Sequence, residues 1–143
     1  MTAKKTKKAK ATKKVVENEY FSAKELRCQH TGEDGFDADF LELLTKIRIE
    51  CDFSFPISSG YRSPKHPIEQ RKERLGAHTT GKAVDILCSG EKAVEVVSVA
   101  LANGISRIGV QQKGQNRFIH LDICTQEDFP DYPNYPEEAI WSY

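Results

Sequence analysis

Two histidines and two carboxylates stand at spacings that could hold a divalent metal ion. His78 is followed after six residues by Asp85, and His120 after one residue by Asp122. Imidazole nitrogen and carboxylate oxygen are ligands that zinc accepts. Three protein ligands with a position left for water mark a catalytic zinc, whereas structural zinc is closed by four ligands, mostly cysteines. Residues 117–123 alternate, with Ile119, Leu121 and Ile123 as one set and Phe118, His120 and Asp122 as the other. Successive side chains of a strand point to opposite faces, so His120 and Asp122 share a face, roughly 7 Å apart along the chain. Residues 82–87 behave alike: Ala83 and Asp85 go one way, Val84 and Ile86 the other. Gly81 permits a turn just before that strand, so His78 can fold back over Asp85. Two adjacent strands would then bring His78, Asp85 and His120 to one point.

A His-x-Asp pair alone occurs by chance in many sequences. Its conjunction with His78-x-x-Gly81-x-Ala83-x-Asp85 and an upstream Ser59-Gly60-Tyr61-Arg62 is far more specific. Together these motifs resemble the zinc D-Ala-D-Ala carboxypeptidase and endopeptidase family (peptidase M15-like), peptidoglycan-cleaving metallopeptidases that include many phage endolysins. The resemblance runs from about residue 20 to residue 143, with a Phe21, Glu25, Leu26 opening and Trp141 and Tyr143 near the other end. It implies that His78, Asp85 and His120 are zinc ligands. It also implies that Arg62 holds a substrate carboxylate, with Ser59 and Tyr61 beside it in the substrate-binding motif. His66, close by in a loop, is a candidate substrate-side contact.

Two departures bear on mechanism. The best-described relatives carry an acid three residues before the last ligand and use it as general base; here that position is Arg117, which cannot accept a proton. Asp122 is the replacement to expect for that base. It could equally be a partner that orients a ligating histidine. The second departure is Gly76, where many relatives have a serine two residues before the first histidine. A possible substrate-contacting hydroxyl is lost there.

A chain of 143 residues is the size of one domain with one core. Its formal charge of zero hides an asymmetry. Seven lysines fall in residues 1–14, which contain no acid; the rest keeps 14 basic against 21 acidic residues, a net charge of −7. Residues 1–16 read as a disordered Lys-rich arm, too poor in apolar residues to pack. Such an arm could touch nucleic acid or anionic wall polymers, or simply be solvated; nucleic acid is not the expected partner. No apolar h-region follows the arm, and no run of about 18 apolar residues could span a membrane. The expectation is a protein made in the cytoplasm that reaches the bacterial wall after release or from a virion. Cys28, Cys51, Cys88 and Cys124 are irregularly spaced, without a CxxC, and read as reduced, mostly buried residues.

The positioning elements follow in order. Ser22 can cap one helical turn. Asp37 can cap a helix over residues 37–51, where Phe40, Leu41, Leu43, Leu44, Ile47 and Cys51 form one stripe. A short strand over 56–60 leads into Arg62, and residues 68–75 read as a surface helical turn. Ser89 can cap a second helix over 91–103, closed by Gly104; its β-branched residues leave a strand reading open. Strands over 105–112 and 117–123 join through a turn at 113–116. Beyond residue 126, prolines, acids and tyrosines read as a tail anchored by Trp141.

The sum is an α+β fold: a small, mainly antiparallel sheet carrying the metal site, packed on two helices over residues 17–143. The function implied is a zinc (Zn2+) peptidase, monomeric, acting on peptidoglycan stem peptides. A non-catalytic metal-containing wall-binding or virion module is the alternative.

Overall fold

The computed structural model describes residues 15–143; the lysine-rich stretch 1–14 lies outside the described residues. Helix α1 (Ala23–Leu26) opens with the capping box expected of Ser22, whose hydroxyl accepts from the Glu25 N–H while the Glu25 carboxylate accepts from the Ser22 N–H. Helix α2 (Ala38–Cys51) starts at Asp37, whose carboxylate accepts from Phe40 N–H at 2.9 Å. Its Phe40, Leu44 and Ile47 have no exposed surface. Burying each such side chain contributes about 1.5–3 kcal/mol, so this stripe is a main source of the domain's stability.

Five strands form one sheet. They are β1 (Ile57–Ser59), β2 (Ala83–Leu87), β3 (Arg107–Gln111), β4 (Phe118–Asp122) and β5 (Ala139–Ser142), in spatial order β1-β2-β4-β3-β5. All neighbours are antiparallel except β3 and β5, which run parallel. One face carries Val84, Ile86, Ile108, Ile119 and Leu121 into a core shared with α2 and with α4 (Glu91–Ala102), which contributes Ala93, Val96 and Ala100. The opposite face is left for the site. Fold class and the alternation of both central strands agree with the sequence.

Three local readings need correction. Helix α4 is capped not by Ser89 but by Gly90, at φ 62° and without a side-chain hydrogen bond; glycine reaches that conformation without a Cβ penalty. The turn expected over 68–75 is the shorter helix α3 (Pro67–Gln70), because Pro67 presets its first residue and the His66 ring accepts from Ile68 N–H at 3.1 Å. Residues 139–142, read as tail, are a strand whose Trp141 turns inward while Ile140 faces solvent. Among the described residues the four cysteines form no disulfide, and no helix is long and apolar enough to cross a membrane.

Candidate metal centre

The cross-strand register builds the site. Asp85 on β2 lies directly opposite His120 on β4, which lies opposite Gly109 on β3, which lies opposite Trp141 on β5. On the other flank Ser59 of β1 pairs with Asp85. The next row places Ala83, Asp122, Arg107 and Ala139 side by side.

His78 arrives from a 3-10 turn, Ala77–Thr80, rather than from the sheet. Gly81 ends that turn at φ 77°, and a Cβ there would stand 2.0 Å from the Gly35 carbonyl oxygen. Conformation and space both demand glycine. The His78 Nδ1–H donates to the Gly60 carbonyl at 2.8 Å, since a carbonyl can only accept. That leaves the Nε2 lone pair turned to Asp85 Oδ2, 3.4 Å away. The two imidazoles meet edge to face, with ring centroids 5.1 Å apart.

His120 is held from both sides. Its Nδ1 faces Asp85 Oδ1 at 2.9 Å, and its Nε2 faces Asp122 Oδ2 at 2.7 Å. Burial alone would raise the Asp85 carboxyl, yet hydrogen bonds and charge from His120 and His78 outweigh it and hold it well below the usual range. Burial likewise opposes the charged form of His120, but Asp122 and Asp85 raise its pKa. Asp122 stays ionised for the same reason, with Arg107 and the Cys124 N–H adding to His120 against burial.

One atom each from His78, Asp85 and His120 lie within 4.8 Å of one another, and these residues could hold a metal ion. The donor set fits zinc: two imidazoles, one carboxylate and an open side. That side faces a cleft of about 410 Å³, lined by Arg62, Lys72, Arg107, Phe118, Trp141 and Tyr143 among others.

The other site residues expected from the sequence are placed differently. Arg62 lines the cleft, its Nη1 3.0 Å from Glu69 Oε2 and its Nη2 donating to Ser59 Oγ at 3.2 Å. Ser59 therefore meets the cleft through Arg62. Tyr61 instead packs against Gly35, where a Cβ would come within 2.7 Å of the phenol ring. His66 caps α3 and packs on His30, ring centroids 5.4 Å apart; neither it nor Tyr61 belongs to the cleft wall.

Asp122 is not among the residues that line the cleft. It has no exposed surface and lies behind His120, away from the cluster. Oδ1 takes Arg107 Nε at 2.7 Å and Cys124 N–H at 3.0 Å, while Oδ2 takes His120. A carboxylate so placed can orient an imidazole.

Glu69 is a residue that sequence reasoning missed, hidden in a charged stretch that reads as surface. Its side chain is fully buried and accepts from Arg62, from Lys72 Nζ at 3.0 Å and from Gly76 N–H at 2.8 Å. Burial pushes the Glu69 carboxyl up, but these three donors together hold it below the ordinary glutamate range. A depressed carboxyl stabilises the fold above its unfolded pKa and loses that contribution as pH falls through its folded value. Glu69→Gln is therefore expected to cost about 2 kcal/mol at pH 7. In thermal melts the gap from wild type should close as pH falls below the ordinary glutamate range. A gap that stays constant down to pH 3 would show that charge is not what Glu69 contributes.

Fold and site together define an α+β domain with a His–Asp–His cluster that can hold a metal at the floor of an open cleft. A family model described as Peptidase M15 matches residues 19–122, well over half of the chain, and the protein belongs to that family. Family membership suggests a peptidase, and peptidases of this family are generally zinc-dependent. No curated protein matches the chain.

Proposed function

We propose that the protein is a zinc-dependent peptidase that hydrolyses peptide bonds of bacterial peptidoglycan, as a D-Ala-D-Ala carboxypeptidase or an endolysin-type endopeptidase. The observation that carries this reading is the convergence of His78, Asp85 and His120 on an open cleft that also holds Arg62. His78 through Nε2, His120 through Nδ1 and the Asp85 carboxylate would hold the ion. When bound, zinc supplies Lewis acidity, which lowers the pKa of water and polarises the scissile carbonyl.

The remaining work belongs to the protein. Arg62, fixed by Glu69 and Ser59, keeps donors free to grip a substrate carboxylate in a planar fork. Asp122 accepts the Nε2 proton of His120, which fixes the ring and makes Nδ1 a better donor to the metal. Phe118, Trp141 and Tyr143 wall the cleft with aromatic rings. Burial raises the Tyr143 phenol, so at neutral pH it stays a hydrogen-bond donor toward a developing oxyanion.

A second reading has one observation in its favour. Among the described residues that line the cleft, Asp85 is the sole carboxylate, so a separate general base is missing there. A metal centre used for binding the wall rather than cutting it would need none. Incubation of the protein with purified peptidoglycan, followed by mass spectrometry of released fragments, separates the two. Peptidase action predicts cleavage at one type of peptide bond with a new amino group. Wall binding without new amino groups, by protein carrying its zinc, would move the assignment to the binding module.

A further inference from the structure

The family match ends at residue 122, yet the structure gives the segment that follows a part in the metal centre. Strand β5 runs parallel to β3 and sets Trp141 opposite Gly109. Gly109 has no side chain to refuse it; a Cβ there would stand 2.7 Å from the indole Nε1. The indole consequently lies over two residues, His120 at 5.2 Å between centroids and the Arg107 guanidinium at 5.0 Å. Tyr135 meets the same guanidinium at 4.8 Å, and Arg107 Nη1 donates to the Pro136 carbonyl oxygen. Arg107 is thus gripped by two rings and a backbone acceptor, all from residues 135–141.

What Arg107 holds in turn is Asp122. The two are cross-strand neighbours, joined Nε to Oδ1 at 2.7 Å, with 11% of the arginine side chain and none of the aspartate exposed. A fully buried carboxylate needs such a partner to stay charged and in place. Asp122 then spends its other oxygen on His120 Nε2.

We propose that Arg107 is a positioning residue for the metal centre: clamped by the aromatic segment 135–141, it fixes Asp122, and through Asp122 sets the ring of His120 for metal binding. The inference rests on the reading of His78, Asp85 and His120 as metal ligands. It assigns a role in the site to a segment beyond the family match. A lysine would not replace Arg107, because an ammonium lacks the planar fork that reaches Asp122 and Pro136 together and stacks between two rings.

The test is zinc affinity, measured by competition with a chromogenic chelator, on wild type, Arg107→Gln, Asp122→Asn and the double variant. Melting of each metal-free protein serves as the folding control. Loss of an outer partner of a ligating histidine weakens metal binding by about 10- to 100-fold, and that is expected for Arg107→Gln. If Arg107 acts through Asp122, its substitution in the Asp122→Asn background should cost less than about twofold more. Arg107→Lys should recover only part of the loss. Should Arg107→Gln not fold, Trp141→Leu removes one ring alone, and a loss of about threefold or more that again disappears with Asp122→Asn is expected. Zinc affinity of folded Arg107→Gln within about threefold of wild type, or losses that simply add with Asp122→Asn, would overturn the proposal. Wild type that takes up no zinc would overturn the metal-centre reading itself, and this inference with it.

Discussion

Asp85→Asn should remove zinc and peptidase activity together while leaving the fold in place. The side chain keeps its volume, so the cost falls on charge and ligation. Asp85 is the one anion of the cluster, and it sits against both imidazoles, 2.9 Å from His120 and 3.4 Å from His78. Structural zinc sites with four ligands bind with roughly 10–16 kcal/mol, or about 3 kcal/mol per ligand. Losing the anionic ligand should therefore weaken zinc binding by at least about 10²-fold. Loss of the Lewis acid removes several kcal/mol of barrier lowering, so kcat/KM should fall by about 10³-fold or more. Zinc affinity from chelator competition, read beside kcat/KM, checks both. A folded Asp85→Asn protein with zinc affinity and turnover within about tenfold of wild type would remove Asp85 from the ligand set.

The second large effect is expected at Arg62. A charge-assisted, two-point grip on a carboxylate contributes about 3 kcal/mol, so Arg62→Met should lower kcat/KM by about 10²-fold on a peptide that presents a free carboxylate. The same substitution should do little to a matched peptide whose carboxylate is amidated, because that interaction is already missing. Arg62 also pairs with buried Glu69, so part of the damage could come through stability. The amidated peptide separates the two: equal losses on both peptides would mean that Arg62 supports the fold and does not read the substrate.

What was legible in the sequence follows from periodicity. His120 and Asp122 had to share a face because strand side chains alternate, and Gly81 announced the turn that returns His78 to Asp85. Asp37 and Ser22 named their own helices. The role of Asp122 was not legible, since the pattern His-x-Asp is the same whichever nitrogen of His120 faces the carboxylate. Only the register shows that Arg107 stands beside Asp122 and Asp85 beside His120. Glu69 was hidden because a buried acid among surface charges has no mark in one dimension; only the fold brings Arg62, Lys72 and Gly76 around it. Strand β5 was hidden by Pro130, Pro133 and Pro136, which made the whole segment read as irregular although the four residues after them pair with β3. His66 was drawn toward the site by its nearness in sequence, but its ring serves the helix that Pro67 begins.

We propose that this cleft hydrolyses peptide bonds with a metal held by His78, Asp85 and His120. The direct measurement is to strip the protein with chelator, return zinc in steps, and follow cleavage of peptidoglycan stem peptides against bound metal. Metal-free protein should show no cleavage, and activity should recover to a plateau at about one zinc per chain. Full cleavage by the stripped protein, or none at any zinc occupancy, would contradict it.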